Sequence, residues 1–157
     1  SMKIITGELA QRGLDIPPEN APVVKRVIHT TADFDYAQTL HFTPGAVAAG
    51  IAAMHAGATI ITDTNMALAG ITRAVAAMHK AAAEYPGAVL AVGNAPTALL
   101  TIAEKIENGL RPALVIGVPV GFVNVVESKE RLFAVCESHG VPAIVAMGRK
   151  GGSNVAR

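Results

Sequence analysis

The sequence predicts an α/β domain of three layers, a mostly parallel sheet with helices on both faces. Three observations lead there. Four short runs, at residues 58–63, 88–92, 113–118 and 143–146, are nearly continuous in apolar or β-branched side chains. That is how strands buried on both faces read. Helical patterns at residues 73–84, 96–108 and 124–139 separate them, and strand–helix alternation points to parallel crossover connections. The length of 157 residues suits a single domain spanning 1–157, able to bury roughly 68–70% of its unfolded surface.

Two further helices precede the first of these strands. Residues 20–31 carry Val23, Val24, Val27 and Ile28 on one apolar face, with Asn20 as cap and Pro22 tolerated in the first turn. Thr43 offers a hydroxyl cap to a second, Ala-rich helix that begins at Pro44 and ends at Gly57. No internal repeat, linker or low-complexity segment interrupts the chain.

Composition narrows the function classes. The formal net charge is +1, with no block of like charges, which argues against nucleic-acid and membrane-surface binding. No apolar run is long enough to span a bilayer, and no leader pattern opens the chain. One cysteine, Cys136, forms no internal disulfide, so the expected compartment is the cytoplasm. Hydrophobic residues make up 51% of the chain and charged ones 16%, an apolar balance that predicts a homo-oligomer, most simply a symmetric dimer.

Ligands of open parallel sheets bind outside the carboxyl ends of the strands. Four polar or glycine-rich segments follow the strands: residues 63–65, 93–97, 119–124 and 148–154. His29 lies outside the strands and reaches this rim from a helix end. Histidine titrates nearest neutral pH, so it can act as acid or base. Asp33 sits four residues on and can orient the imidazole if the helix continues. The bland alternative is a cation placed favourably at a helix C-terminus.

A metal site on His29, His41, Asp33 and Asp35 is a competing reading, although their spacing matches no familiar signature. Gly93–Thr97 either presents backbone N–H groups to an anion or is an ordinary strand-to-helix turn with Asn94 left-handed. Gly148–Asn154 gathers Arg149 and Lys150 among three glycines, a loop able to wrap carboxylates or a solvated tail. Arg73 can clamp a carboxylate. Cys136 reads as a small buried residue, and Met54, Met66, Met78 and Met147 as core filler. Asp63 and Asp33 as paired acid–base carboxylates find no support in their spacing.

Taken together, the stretches Val27–His29, Asp63–Gly70, Val92-Gly93-Asn94-Ala95-Pro96-Thr97-Ala98-Leu99, Gly117–Val123 with Glu127-Ser128-Lys129, and Gly148–Ser153 resemble the precorrin-8X methylmutase family, also called cobalt-precorrin-8 methylmutase, of cobalamin biosynthesis. The resemblance implies an isomerase that moves a methyl group from C-11 to C-12 of a tetrapyrrole corrin precursor, without metal or organic cofactor, in a homodimer. It implies that His29 protonates or hydrogen-bonds the macrocycle. By the same resemblance Ser1 and Arg73 contact the substrate; Asn94 and Arg149, from the two rim loops, are added as further candidate substrate residues.

The chain departs from the family in being shorter at both ends and in lacking about one strand plus helix between Ile71 and Thr72. That join reads as a deletion or as a segment left out, and Ser1 as the family serine or a cloning remnant. Two other function classes stay open: a non-catalytic corrinoid carrier using the same pocket, and a small metal-dependent hydrolase built on His29 and His41.

Overall fold

In the computed structural model, which describes residues 2–63, 80–121 and 124–156, five strands form one sheet. They are β1 (Leu40–Phe42), β2 (Ile60–Thr62), β3 (Val89–Val92), β4 (Leu114–Gly117) and β5 (Ala143–Ala146), in spatial order β1-β5-β4-β3-β2. Strands β2 to β5 run parallel. Strand β1 lies antiparallel on β5, with Leu40 opposite Ala146 and Phe42 opposite Ile144.

The helices are α1 (Met2–Gln11), α2 (Ala21–Thr31), α3 (Tyr36–Thr39), α4 (Ala46–His55), α5 (Pro96–Glu107), α6 (Val125–His139) and α7 (Ser153–Ala156); residues 80–84 are also helical. Alternation along the strands sorts them into two layers. Leu90, Val92, Val115, Ala143 and Val145 face α5 and α6 through Leu99, Ile102, Ile106, Leu132 and Cys136. Val89, Leu114, Ile144 and Ala146 face the other way, onto Val24, Val27 and Ile28 of α2 and Ala46 of α4. The three-layer expectation holds. Each large side chain buried this way contributes roughly 1.5–3 kcal/mol relative to exposure, so both layers are anchored by burial rather than by ion pairs.

The central strands fall where the apolar runs place them, and β5 coincides with its run. Other expectations are corrected. Strand β2 is an edge strand among the described residues: Ile61 is buried but Ile60 is 54% exposed. Thr43 caps no helix. Its hydroxyl accepts the Ala143 N–H at 2.8 Å and pins β5 beside β1, while Gly45, at φ 73°, stands at the N-cap of α4. Asn20 occupies the cap of α2 without a side-chain hydrogen bond. Met54 is exposed rather than core filler, whereas Met147 packs on the core. Met66 and Met78 lie outside the described residues, as does most of the helix expected over 73–84. Helices α1 and α3 and strand β1 were not anticipated. Among the described residues no helix is long and apolar enough to cross a membrane.

Candidate active site

His29 stands in the last turn of α2. The helix seats Val24, Val27 and Ile28 in the core and leaves Arg26, His29 and Thr30 exposed. It stops at Ala32, whose φ of 57° is left-handed and whose N–H donates to the Ile28 carbonyl at 2.7 Å. Thr31 strengthens the stop: its hydroxyl donates to the Val27 carbonyl at 2.8 Å and accepts the Asp33 N–H at 3.2 Å.

That stop removes the expected pairing of Asp33 with His29, because the helix does not continue for the needed turn. Lys150 takes the carboxylates instead. Its ammonium donates to Asp33 Oδ2 and Asp35 Oδ2, both at 2.7 Å, and Asp33 Oδ1 accepts the Asp35 N–H at 2.9 Å. The Lys150 hydrogen bond, then that of the Asp35 amide, holds the Asp33 carboxyl below its ordinary value, and both carboxylates raise the Lys150 ammonium above its own. On the far side of the turn the Arg12 guanidinium lies 4.4 Å from the centre of the Phe34 ring, a cation–π contact. His29 itself has no hydrogen-bond partner among the described residues. It is an imidazole left available beside a fixed turn.

The loop that delivers Lys150 is built from below. Lys129 lies on the buried stripe of α6 with Val125, Leu132 and Cys136. Its ammonium donates to the carbonyls of Gly148, at 2.7 Å, and Lys150, at 3.0 Å. Burial pushes its pKa down to about 8. The Gly152 N–H donates to the Val118 carbonyl at 2.7 Å, and the Gly121 N–H to the Arg149 carbonyl at 3.2 Å. At Gly151 a Cβ would collide with the Val118 carbonyl, so no other residue allows so close a passage. Residues 148–152 are therefore a fastened loop rather than a solvated tail.

Asp63 explains the Gly93–Thr97 turn. It is buried at the end of β2, and its carboxylate accepts the N–H groups of Gly93 at 2.7 Å, Asn94 at 3.0 Å and Ala95 at 2.7 Å. The Asn94 side-chain amide donates to the Asp63 carbonyl at 3.2 Å. The anion expected at this helix N-terminus is thus one of the protein's own side chains. Asn94 is not left-handed: among described non-glycine residues only Ala32 and Asn124 are. Asp63 and Asp33 hold separate structures and form no pair.

Two adjoining cavities lie against α2. One, of about 560 Å³, is almost wholly apolar and lies between Val23 and Val27 of α2, Ile51 and Met54 of α4, and the sheet at Ile116. The other, of about 270 Å³, is lined by Arg26, Val27, Thr30, Asn154 and Val155. Arg26, Val27 and Val155 line both.

The remaining candidates disperse. Arg149 is exposed at the rim. Ser1 and Arg73 lie outside the described residues. His41 lies on β1, with its ring edge-on to that of Phe133 of α6 at 5.9 Å. Among the described residues no three His, Cys, Asp or Glu side chains are grouped to hold a metal ion. Cys136 is buried and its thiol is pushed up to about 12 by desolvation, as expected of a structural cysteine. Sequence reasoning passed over Arg26, Lys129 and Asp63's three amide bonds. Lys129 had a signal: it sits four residues after Val125 and three before Leu132 on one helical face.

Comparison with known proteins decides the relationship. The family profile described as precorrin-8X methylmutase matches residues 1–75 and 69–157. This chain belongs to the precorrin-8X methylmutase family. It is 38% identical over 186 residues to the cobalt-precorrin-8 methylmutase of Priestia megaterium, covering 99% of this chain and 80% of that protein. It is also 38% identical over 171 residues to the precorrin-8X methylmutase of Pseudomonas aeruginosa, covering 90% and 81%. The crystal structure of the Thermus thermophilus precorrin-8X methylmutase superposes with a TM-score of 0.81 at 37% identity, covering 99% of this chain and 91% of that one. Methylmutases are isomerases, and this family serves cobalamin biosynthesis.

Proposed function

We propose that this chain moves a methyl group from C-11 to C-12 of precorrin-8X or cobalt-precorrin-8, giving hydrogenobyrinate or cobyrinate, with His29 as proton or hydrogen-bond donor. The observation that carries the reading is His29 itself: exposed, without a hydrogen-bond partner among the described residues, and in the same helical turn as residues lining an apolar cavity. In this reaction one carbon–methyl bond breaks and another forms within the same molecule. No oxidant or reductant is needed, and the proton lent to the macrocycle is returned. Drawing electron density from the conjugated system lowers the barrier to migration, and a positioned imidazole suits that task.

Residues 26–30 supply the acid, and the cavity beside α2 supplies an apolar wall for the macrocycle. Ser1, Arg73 and Arg149 complete the proposed substrate contacts, with Asn94 able to add only the part of its side chain not given to Asp63. A homodimer belongs to this reading, supported by α4, which exposes Ile51 and Met54 on a helix without a single carboxylate or lysine. A cytoplasmic setting suits the free, buried Cys136. We further read a family segment as absent near Ile71–Thr72. The two overlapping profile matches support this, as does an alignment of 186 residues against a chain of 157.

The test is His29→Ala assayed for conversion of the precursor by the change in its visible spectrum. Rearrangement falls by at least about 10²-fold, the usual scale for a lost proton donor, while tetrapyrrole binding survives and stability changes by less than about 0.5 kcal/mol. Turnover equal to the unmodified protein defeats the mechanism. Tight binding of product by the unmodified protein with no conversion of precursor identifies a carrier instead.

A further inference from the structure

We infer that Arg26, Thr30 and Asn154 form a subsite for one carboxylate arm of the macrocycle, with Arg26 as its anchoring cation. This rests on the substrate reading above, since the arms of a corrin precursor end in carboxylates. The smaller cavity, about 270 Å³, is bounded by one guanidinium, one hydroxyl and one side-chain amide, with Val27 and Val155 as apolar walls. That is the donor set and the scale for an acetate or propionate group, not for a ring. The larger cavity, about 560 Å³ and almost entirely apolar, shares Arg26 with it. An acidic arm in the first and hydrocarbon edge in the second is the arrangement the two linings match.

Among the described residues, the cations that reach the Asp33 turn and the 148–152 loop are engaged. Lys150 is held by Asp33 and Asp35, Lys129 is buried against two carbonyls, Arg12 pairs with Glu8, and Arg149 has a contact of its own. Arg26 has no such partner among the described residues, and no ion pair joins it to Glu19, the acidic residue lining the larger cavity. Its guanidinium keeps a planar fork of donors that matches a carboxylate in bidentate fashion. Arg26 and His29 are three residues apart on one helix, so they lie on the same side of it. A carboxylate gripped at Arg26 therefore fixes which part of the macrocycle lies against the imidazole, the kind of orientation that makes a rearrangement regiospecific.

Binding of hydrogenobyrinate, followed by its visible absorbance, tests this with Arg26→Met, Thr30→Val and the unmodified protein. A second probe is hydrogenobyrinate with its carboxylates converted to amides. Arg26→Met is expected to raise Kd, and KM for precursor with it, about 10- to 100-fold, the range for a charge-assisted pair. Thr30→Val raises Kd about threefold by loss of one neutral hydrogen bond. The amidated probe is expected to bind Arg26→Met and the unmodified protein alike. Equal affinity of the unmodified protein and Arg26→Met for the acid overturns the subsite while leaving the methylmutase reading intact. An equal loss for acid and amide overturns it too, because the effect is then one of shape and not of charge. Failure of the unmodified protein to bind either macrocycle overturns the substrate reading and the subsite with it.

Discussion

Two helix ends meet the carboxyl edge of the sheet, and they differ in what already occupies them. At the N-terminus of α5 the amides of Gly93, Asn94 and Ala95 point into a carboxylate, Asp63, that the protein provides for itself. At the C-terminus of α2 an imidazole, and about one turn before it a guanidinium, have no partner among the described residues. The first looks, in sequence, like the better ligand site, with a glycine-rich turn leading into a helix. The second is an unremarkable helix end. The difference teaches that a donor set is a site only if the fold leaves it open. A satisfied buried polar group stabilises structure, and an unsatisfied exposed one is free to meet substrate.

The sharpest way to break this contrast is to empty the closed end. Asp63→Ala leaves three amides facing nothing, one of the few single changes expected to cost about 3–5 kcal/mol. Urea unfolding measures it; a loss below about 1 kcal/mol shows that water replaces the carboxylate easily and that this turn is as open as α2.

Lys129 gives the next effect, about 3 kcal/mol at most from its shift. Its folded pKa of about 8 lies below the 10.5 of an ordinary lysine. The unfolded chain therefore binds the proton more tightly, and stability rises with pH from about 8 to 10.5, with the full penalty present below 8. Cys136 opposes this above pH 9, since its thiol stays protonated to about 12 in the fold. Because that contribution is common to both proteins, the difference between Lys129→Met and the unmodified chain isolates the lysine. Parallel stability-against-pH curves for the two would contradict the burial of its charge.

The smallest change sharpens the open end. Ala32→Gly relieves a left-handed alanine at φ 57°, worth about 1 kcal/mol less the added freedom of the unfolded glycine. A thermal melt is expected to move up slightly. A fall in Tm would mean that the Ala32 methyl packs in a way that outweighs its strain.

How much of this was legible in the sequence follows from where each interaction lies. Strands β3, β4 and β5 are bounded by their own apolar runs, and α2, α5 and α6 by their own periodicity, so local pattern suffices for them. Strand β1 is three residues long and owes its place to β5, about a hundred residues away in the chain, through pairs such as Leu40 with Ala146. Nothing local marks it. The end of α2 was readable as a place but not in its detail, because Lys150 takes Asp33 and Asp35 away from the histidine. Asp63 escaped for a different reason: its partners are backbone amides, which carry no residue identity for a sequence to display. The family resemblance, by contrast, rests on side chains and was visible throughout.

The pairing of β1 with β5 also orders events in time. The bridge from Lys150 to Asp33 joins positions 117 residues apart, and Asn154 and Val155 come from the last elements of the fold. Contacts between such distant segments close large loops and form late, whereas helices and neighbouring parallel strands gain order sooner. The pocket beside His29 is therefore expected to mature late, and a refolding chain to recover its circular dichroism before it recovers binding of the proposed macrocycle; simultaneous recovery of the two signals would contradict this.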